Sequence, residues 1–85
     1  MSYELFIERR AEKDLKKLDA SLFRQIAEKI KSLPENPHPL GSRKLSGSQN
    51  DWRIRIANYR VLYEIDNKAR TIKVMRVKHR REVYR

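Results

Sequence analysis

At Trp52 the spacing of apolar residues changes from a helical repeat to strict alternation. In WRIRI, Trp52, Ile54 and Ile56 fall on one face of a strand and Arg53 and Arg55 on the other. YRVLYEI, residues 59–65, repeats the pattern: Tyr59, Val61, Tyr63 and Ile65 on one side, Arg60, Leu62 and Glu64 on the other. Ala57-Asn58 is the tight turn between these strands. Asp66-Asn67-Lys68-Ala69 is the next turn, with Asn67 suited to a left-handed backbone. RTIKVMRV, residues 70–77, makes a third strand in which Ile72 and Val74 alternate but Val77 is out of step. A β-bulge near Met75 or Arg76 reconciles them.

Upstream the period is helical. YELFI, residues 3–7, is a short strand with Tyr3, Leu5 and Ile7 on one face. From Glu8, the residues Ala11, Leu15 and Leu18 recur at helical spacing among charges, which predicts an amphipathic helix. Asp19 and Ser21 offer caps for a second helix, whose stripe is Leu22, Phe23, Ile26, Ala27, Ile30 and Leu33. Pro34 ends it. Residues 35–51 carry Pro37, Pro39, Gly41 and Gly47 and predict a long loop, with Leu40 and Leu45 pinning it to the core. The expected order is β-α-α-β-β-β. This is an α/β (α+β) fold with two N-terminal helices packed on a small, mainly antiparallel four-stranded sheet. At 85 residues it makes a single domain, residues 1–85.

Charge divides the chain. Residues 1–42 hold 8 Lys/Arg and 7 Asp/Glu, net +1, and residues 43–85 hold 13 and 4, net +9. Nine of the 12 arginines lie in the second half. A partner of such a surface is polyanionic, and arginine's planar fork favours phosphate. There is no cysteine, hence no disulfide framework and no thiolate metal site. His38 and His79 lack patterned metal-binding partners, and no Gly-rich phosphate loop, catalytic triad or carboxylate pair is present. No metal and no cofactor are expected. No run approaches the roughly 20 apolar residues of a membrane span and no leader is visible, so a cytoplasmic protein without a membrane partner is expected.

The candidate chemistry is cationic. Arg53 and Arg55 share a strand face, and Arg60, across the turn, has matching parity. Cross-strand neighbours on one face have Cβ atoms about 5 Å apart, so an anion between the guanidiniums relieves their repulsion. His79, Arg80 and Tyr84 follow the last strand and can reach the same region. A histidine can move a proton and a tyrosine can stack on a base.

WRIRIANYRVLYEI, followed by VKHRREVYR and preceded by RKLSGS, resembles the RelE/ParE superfamily of bacterial and archaeal toxins. YELFIERRAEKDLKKL fits the same family's first strand and helix, so the resemblance spans essentially the whole chain. It implies a toxin of a type II toxin–antitoxin system, neutralised by a cognate antitoxin. The RelE-like branch implies a ribosome-dependent mRNA endoribonuclease that inhibits translation by metal-independent attack of a ribose 2′-hydroxyl on its own 3′-phosphate. On that branch Arg53 and Arg55 hold and orient the RNA, Arg60 and Arg80 neutralise charge on phosphorus, His79 or Arg80 protonates the leaving oxygen, and Tyr84 positions the nucleotide. Arg43, Lys44, Lys78, Arg81 and Arg85 extend the contact with RNA. The best-known RelE pattern has lysines where Arg53 and Arg55 stand, and arginine, with a pKa above about 12, is a poor general base. The partners implied are the antitoxin, the ribosome and mRNA, with a monomeric free toxin and a heterotetrameric or larger complex. Two other readings fit the same residues: a ParE-like inhibitor of DNA gyrase, and a non-catalytic basic nucleic-acid-binding module.

Overall fold

The computed structural model describes residues 2–83, the side chains of residues 82 and 83 excepted. Strand β1 (Glu4–Ile7) leads into helices α1 (Arg9–Lys16) and α2 (Ala20–Ser32). Strands β2 (Ser42–Lys44), β3 (Asp51–Ile56), β4 (Tyr59–Asp66) and β5 (Thr71–His79) follow, and a short helix α3 (Arg80–Val83) comes last. The sheet order is β1-β5-β4-β3-β2. Only β1 runs parallel to its neighbour, β5; the other three pairings are antiparallel.

Among the described residues the sheet has five strands rather than the expected four. The additional one, β2, pairs Arg43 with Arg53 inside the Pro/Gly-rich loop. Three residues carry too short a pattern to announce a strand, and the pairing with β3 is what makes this segment one.

Asp19 caps α2, its Oδ1 accepting the Leu22 N–H at 2.9 Å. Loss of such a cap costs about 1 kcal/mol. Ile26 and Ile30 from α2, Leu33 at its C-terminal cap, and Ala11 and Leu15 from α1 meet Ile54, Ile56, Val61, Tyr63, Ile65, Ile72, Val74 and Val77 of the sheet in one core. Each fully buried Ile or Leu contributes about 1.5–3 kcal/mol. Phe23, expected on the buried stripe, is 44% exposed.

The bulge falls where the phase of the third strand requires it. Leu62 pairs with Arg76 and Tyr63 with Val74, leaving Met75 as the extra residue. That single insertion lets Ile72, Val74 and Val77 all enter the core. Beyond Val74, β1 no longer covers the edge of β5, and α1 takes over. The Asp14 carboxylate accepts the Val77 N–H at 2.9 Å and the Arg76 Nε–H at 2.8 Å. An otherwise open strand edge is thereby closed.

Two loop expectations are corrected. Leu40 is 100% exposed and pins nothing. The loop is held instead by buried Pro39 and by Tyr63, whose hydroxyl donates to the Pro37 carbonyl at 2.8 Å. In the β4–β5 turn the left-handed residue is Arg70, φ 57°, not Asn67. Asn67 instead accepts the Tyr3 hydroxyl at 2.7 Å, and Asp66 Oδ1 takes the Lys68 and Ala69 N–H groups, an Asx turn that needs no help from Asn67.

Candidate functional site

Strand alternation sorts the charged residues onto the sheet face turned away from the core. At the Ala57-Asn58 end, Arg55 stands opposite Arg60 and Arg60 opposite Lys78. In the next row Arg43 stands opposite Arg53, Arg53 opposite Leu62 and Leu62 opposite Arg76. No acid occupies either row. The following rows change character: Asp51 opposite Glu64, Glu64 opposite Lys73, Asp66 opposite Thr71 and Thr71 opposite Glu4. Lys73 Nζ lies 3.8 Å from Glu64 Oε1. One end of the face is cationic and the other predominantly acidic.

The cations do not all serve one place. Arg76 turns aside to α1, with Nε 2.8 Å and Nη2 3.3 Å from the two Asp14 oxygens. Burial alone would raise the Asp14 pKa. The hydrogen bonds from Arg76 and the Val77 N–H, with the charges of Arg76 and Lys17, outweigh it and hold the carboxyl below its usual value. Arg53 Nη1 donates to the Gly41 carbonyl at 3.1 Å, tying β3 to the loop beside β2. Gly41 has φ 94°, a backbone that favours glycine.

Arg55, Ala57, Asn58, Tyr59, Arg60 and Arg80 line a recess of about 190 Å³ at the end of the hairpin. Its floor is the turn itself. Ala57 has φ 54° at the first central position of a two-residue loop, where type II′ turns take glycine. An alanine there costs about 1–2 kcal/mol. Arg80 joins the recess because its N–H donates to the Asn58 carbonyl at 2.7 Å, which fixes the start of α3 against the turn. Three guanidiniums thus border a space fit for an anion, and arginine's fork can grip a phosphate through two N–H groups.

The structure brings Arg53, Arg55, Arg60 and Arg80 to one end of one face, with Arg43 and Lys78 beside them. It sets His79 apart. His79 pairs with Tyr59 and shares the parity of Val77, so it belongs to the core-side face. Its ring stands edge-on to Tyr59, centroids 5.1 Å apart, and its Nδ1 accepts the Arg81 N–H at 3.1 Å. It acts there as a cap on the first turn of α3. Lys44 pairs with Trp52, on the side opposite Arg43. Arg81 is exposed in α3. Tyr84 and Arg85 lie outside the described residues. The register of Lys78 is what sequence reasoning underused. The bulge that returns Val77 to the core also puts His79 on the core side and Lys78 among the arginines.

Residues 5–84 match the family model of the ParE toxin of type II toxin–antitoxin systems. The chain is 32% identical over 88 residues to the candidate toxin RelE1 of Methanocaldococcus jannaschii, covering 100% of this chain and 98% of that protein. It is 32% identical over 89 residues to Toxin RelG of Mycobacterium tuberculosis, covering 100% and 99%. Among solved structures, the archaeal RelE–RelB complex of Pyrococcus horikoshii superposes with a TM-score of 0.83 at 29% identity, covering 94% of this chain and 97% of that one. Isolated RelE toxin of Escherichia coli gives a TM-score of 0.80 at 28% identity, covering 98% and 92%. The chain belongs to the ParE toxin family of type II toxin–antitoxin systems, within the RelE/ParE superfamily.

Proposed function

We propose that this toxin is an endoribonuclease that cuts mRNA on the ribosome, and that a cognate antitoxin holds it in check. The observation that carries the reading is the cationic end of the sheet face, whose two strand rows hold no acid, with Arg55, Arg60 and Arg80 around one recess. The similarity to proteins named RelE supports it. Arg53 and Arg55 orient the RNA backbone so that the 2′-hydroxyl lies in line with its 3′-phosphate. Arg60 and Arg80 stabilise the charge that develops on the phosphoryl oxygens, which in such chemistry is the main source of rate acceleration. The reading assigns no step to a metal or cofactor. A site made of guanidiniums holds no strong base, so it depends on a substrate already held in reactive geometry, which the ribosome supplies. Solved relatives include RelE–RelB complexes from Pyrococcus horikoshii and Escherichia coli. An antitoxin with an acidic segment over the cationic end follows from charge complementarity.

The ParE designation of the matching family favours a second reading, inhibition of DNA gyrase by protein contact. Purified toxin on programmed ribosomes separates the two. Cleaved mRNA is expected, with the cut weakened in Arg60→Ala and Arg80→Ala. Intact mRNA together with loss of gyrase supercoiling would select the second reading.

A further inference from the structure

When a 2′-hydroxyl attacks phosphorus, the O2′–P bond forms and the P–O5′ bond breaks. The departing 5′-oxygen then needs a proton. Arg43, Arg53, Arg55, Arg60 and Arg80 are poor donors, because a guanidinium releases its proton only above about pH 12. His79 is turned to the core side, with Nδ1 accepting from the Arg81 N–H. Arg76 is committed to Asp14. Among the described residues, one ammonium stands in this cationic end: Lys78, half-buried, opposite Arg60 on the face that Arg55 also occupies. An ammonium is a stronger acid than a guanidinium. Its flexible stem carries three rotatable N–H donors, and cross-strand neighbours on one face stand about 5 Å apart at Cβ.

We propose that Lys78 is the general acid of the cleavage, a catalytic residue rather than a backbone contact. This rests on the endoribonuclease reading. The Lys78 ammonium gives a proton to the 5′-oxygen as the P–O5′ bond breaks. The 2′-hydroxyl proton passes to water, and the lysine amine regains a proton from solvent. The products are a 2′,3′-cyclic phosphate and a 5′-hydroxyl, with no net change in protons. Arg60, directly opposite, holds the phosphoryl oxygens beside the donor.

The test uses the full chain on ribosomes programmed with two mRNAs, one ordinary and one with sulfur replacing the 5′-bridging oxygen at the cut. A thiolate leaves without protonation. Lys78→Gln and Lys78→Arg, checked for folding by circular dichroism, should cut the ordinary mRNA roughly 10²- to 10⁴-fold more slowly than wild type, the range of general acid catalysis. Both should approach wild-type rates on the sulfur-bridged mRNA. Equal losses on the two substrates would make Lys78 a positioning or electrostatic residue and overturn the proposal. So would unchanged cleavage of the ordinary mRNA, or selective rescue of His79→Gln in place of the Lys78 variants. If wild type cuts neither mRNA, the endoribonuclease reading fails and Lys78's role falls with it. A wild type that cuts while Lys78→Gln shows no rescue defeats the lysine alone.

Discussion

The two ends of the outward sheet face are built from the same strands yet differ in charge. Near the Ala57-Asn58 turn stand Arg43, Arg53, Arg55, Arg60 and Lys78; two rows away stand Asp51, Glu64, Asp66 and Glu4 with Lys73. A face that served solubility alone gains from interspersed signs, which lower mutual repulsion. Here like charges stand directly opposite each other, as Arg55 does with Arg60 and Arg43 with Arg53, an arrangement that is locally destabilising. At the acidic end Asp51 likewise faces Glu64, but Lys73 approaches Glu64 to 3.8 Å. The cationic end also has a recess, and the start of α3 is fastened over it through Arg80. The difference singles out the cationic end, with its arginine-lined recess, as the end suited to an anion.

Substitution at the two ends should therefore diverge sharply. Arg60→Ala should lower mRNA cleavage by about 10²–10³-fold, the usual loss when one preorganised charge-stabilising donor is removed. Glu64→Gln, on the same strand and face, should leave the rate within about twofold, because exposed ion pairs contribute about 0–1 kcal/mol. A ribosome-based cleavage assay measures both. Equal losses at the two positions would erase the contrast.

Asp14 tests whether Arg76 is structural, as its ion pair implies. Asp14→Ala should destabilise the fold by about 2–3 kcal/mol, since it strips partners from the Arg76 guanidinium and the Val77 N–H. Urea denaturation measures the loss. The folded-state pKa of Asp14 is depressed, so its contribution is present above the ordinary carboxylate value of about 3.9. It is lost as pH falls through the lower folded-state value. The acid limb of the wild-type stability curve should flatten in Asp14→Asn.

Tyr63 lies in the core between the two ends, paired with Trp52 and Val74, and makes the opposite prediction. Burial pushes its pKa up to about 12, against a weaker lowering from the Ser42 side chain. The stability it contributes is present below the unfolded value of about 10 and is lost as pH rises toward the folded value. Tyr63→Phe removes the hydrogen bond to Pro37, should cost about 1 kcal/mol, and should remove this alkaline slope. The smallest effect concerns the turn. Ala57→Gly should raise stability by about 1 kcal/mol, by relieving an alanine at positive φ, while loosening the floor of the recess beside Arg55 and Arg60. A fall in cleavage rate with rising stability would tie the strain to the site.

Much of this was legible in the residues. The alternation from Trp52 onward defines the faces of β3 and β4, and the out-of-step Val77 calls for a bulge near Met75 or Arg76. The alternation alone places Arg53, Arg55 and Arg60 together. The same parity, carried two residues past Val77, also assigns His79 to the core side and Lys78 to the arginine side. The signal was present but is easily overruled by the appeal of a histidine as a proton carrier. What the residues do not announce depends on partners distant in sequence. The strand Ser42–Lys44 exists through its pairing with β3. Leu40 looks like an anchor but projects into solvent, because Pro39 and the Tyr63 hydroxyl already hold that loop. The diversion of Arg76 to Asp14 joins residues 62 positions apart, beyond the reach of local pattern.

The central claim is that the cationic end of the sheet cuts RNA. Its most direct measurement maps the ends of mRNA recovered from ribosomes incubated with wild-type toxin and with Arg60→Ala. The account predicts fragments ending in a 2′,3′-cyclic phosphate with wild type, and their near-disappearance with Arg60→Ala. Full-length mRNA with wild type, or the same fragments at the same rate with Arg60→Ala, would contradict it.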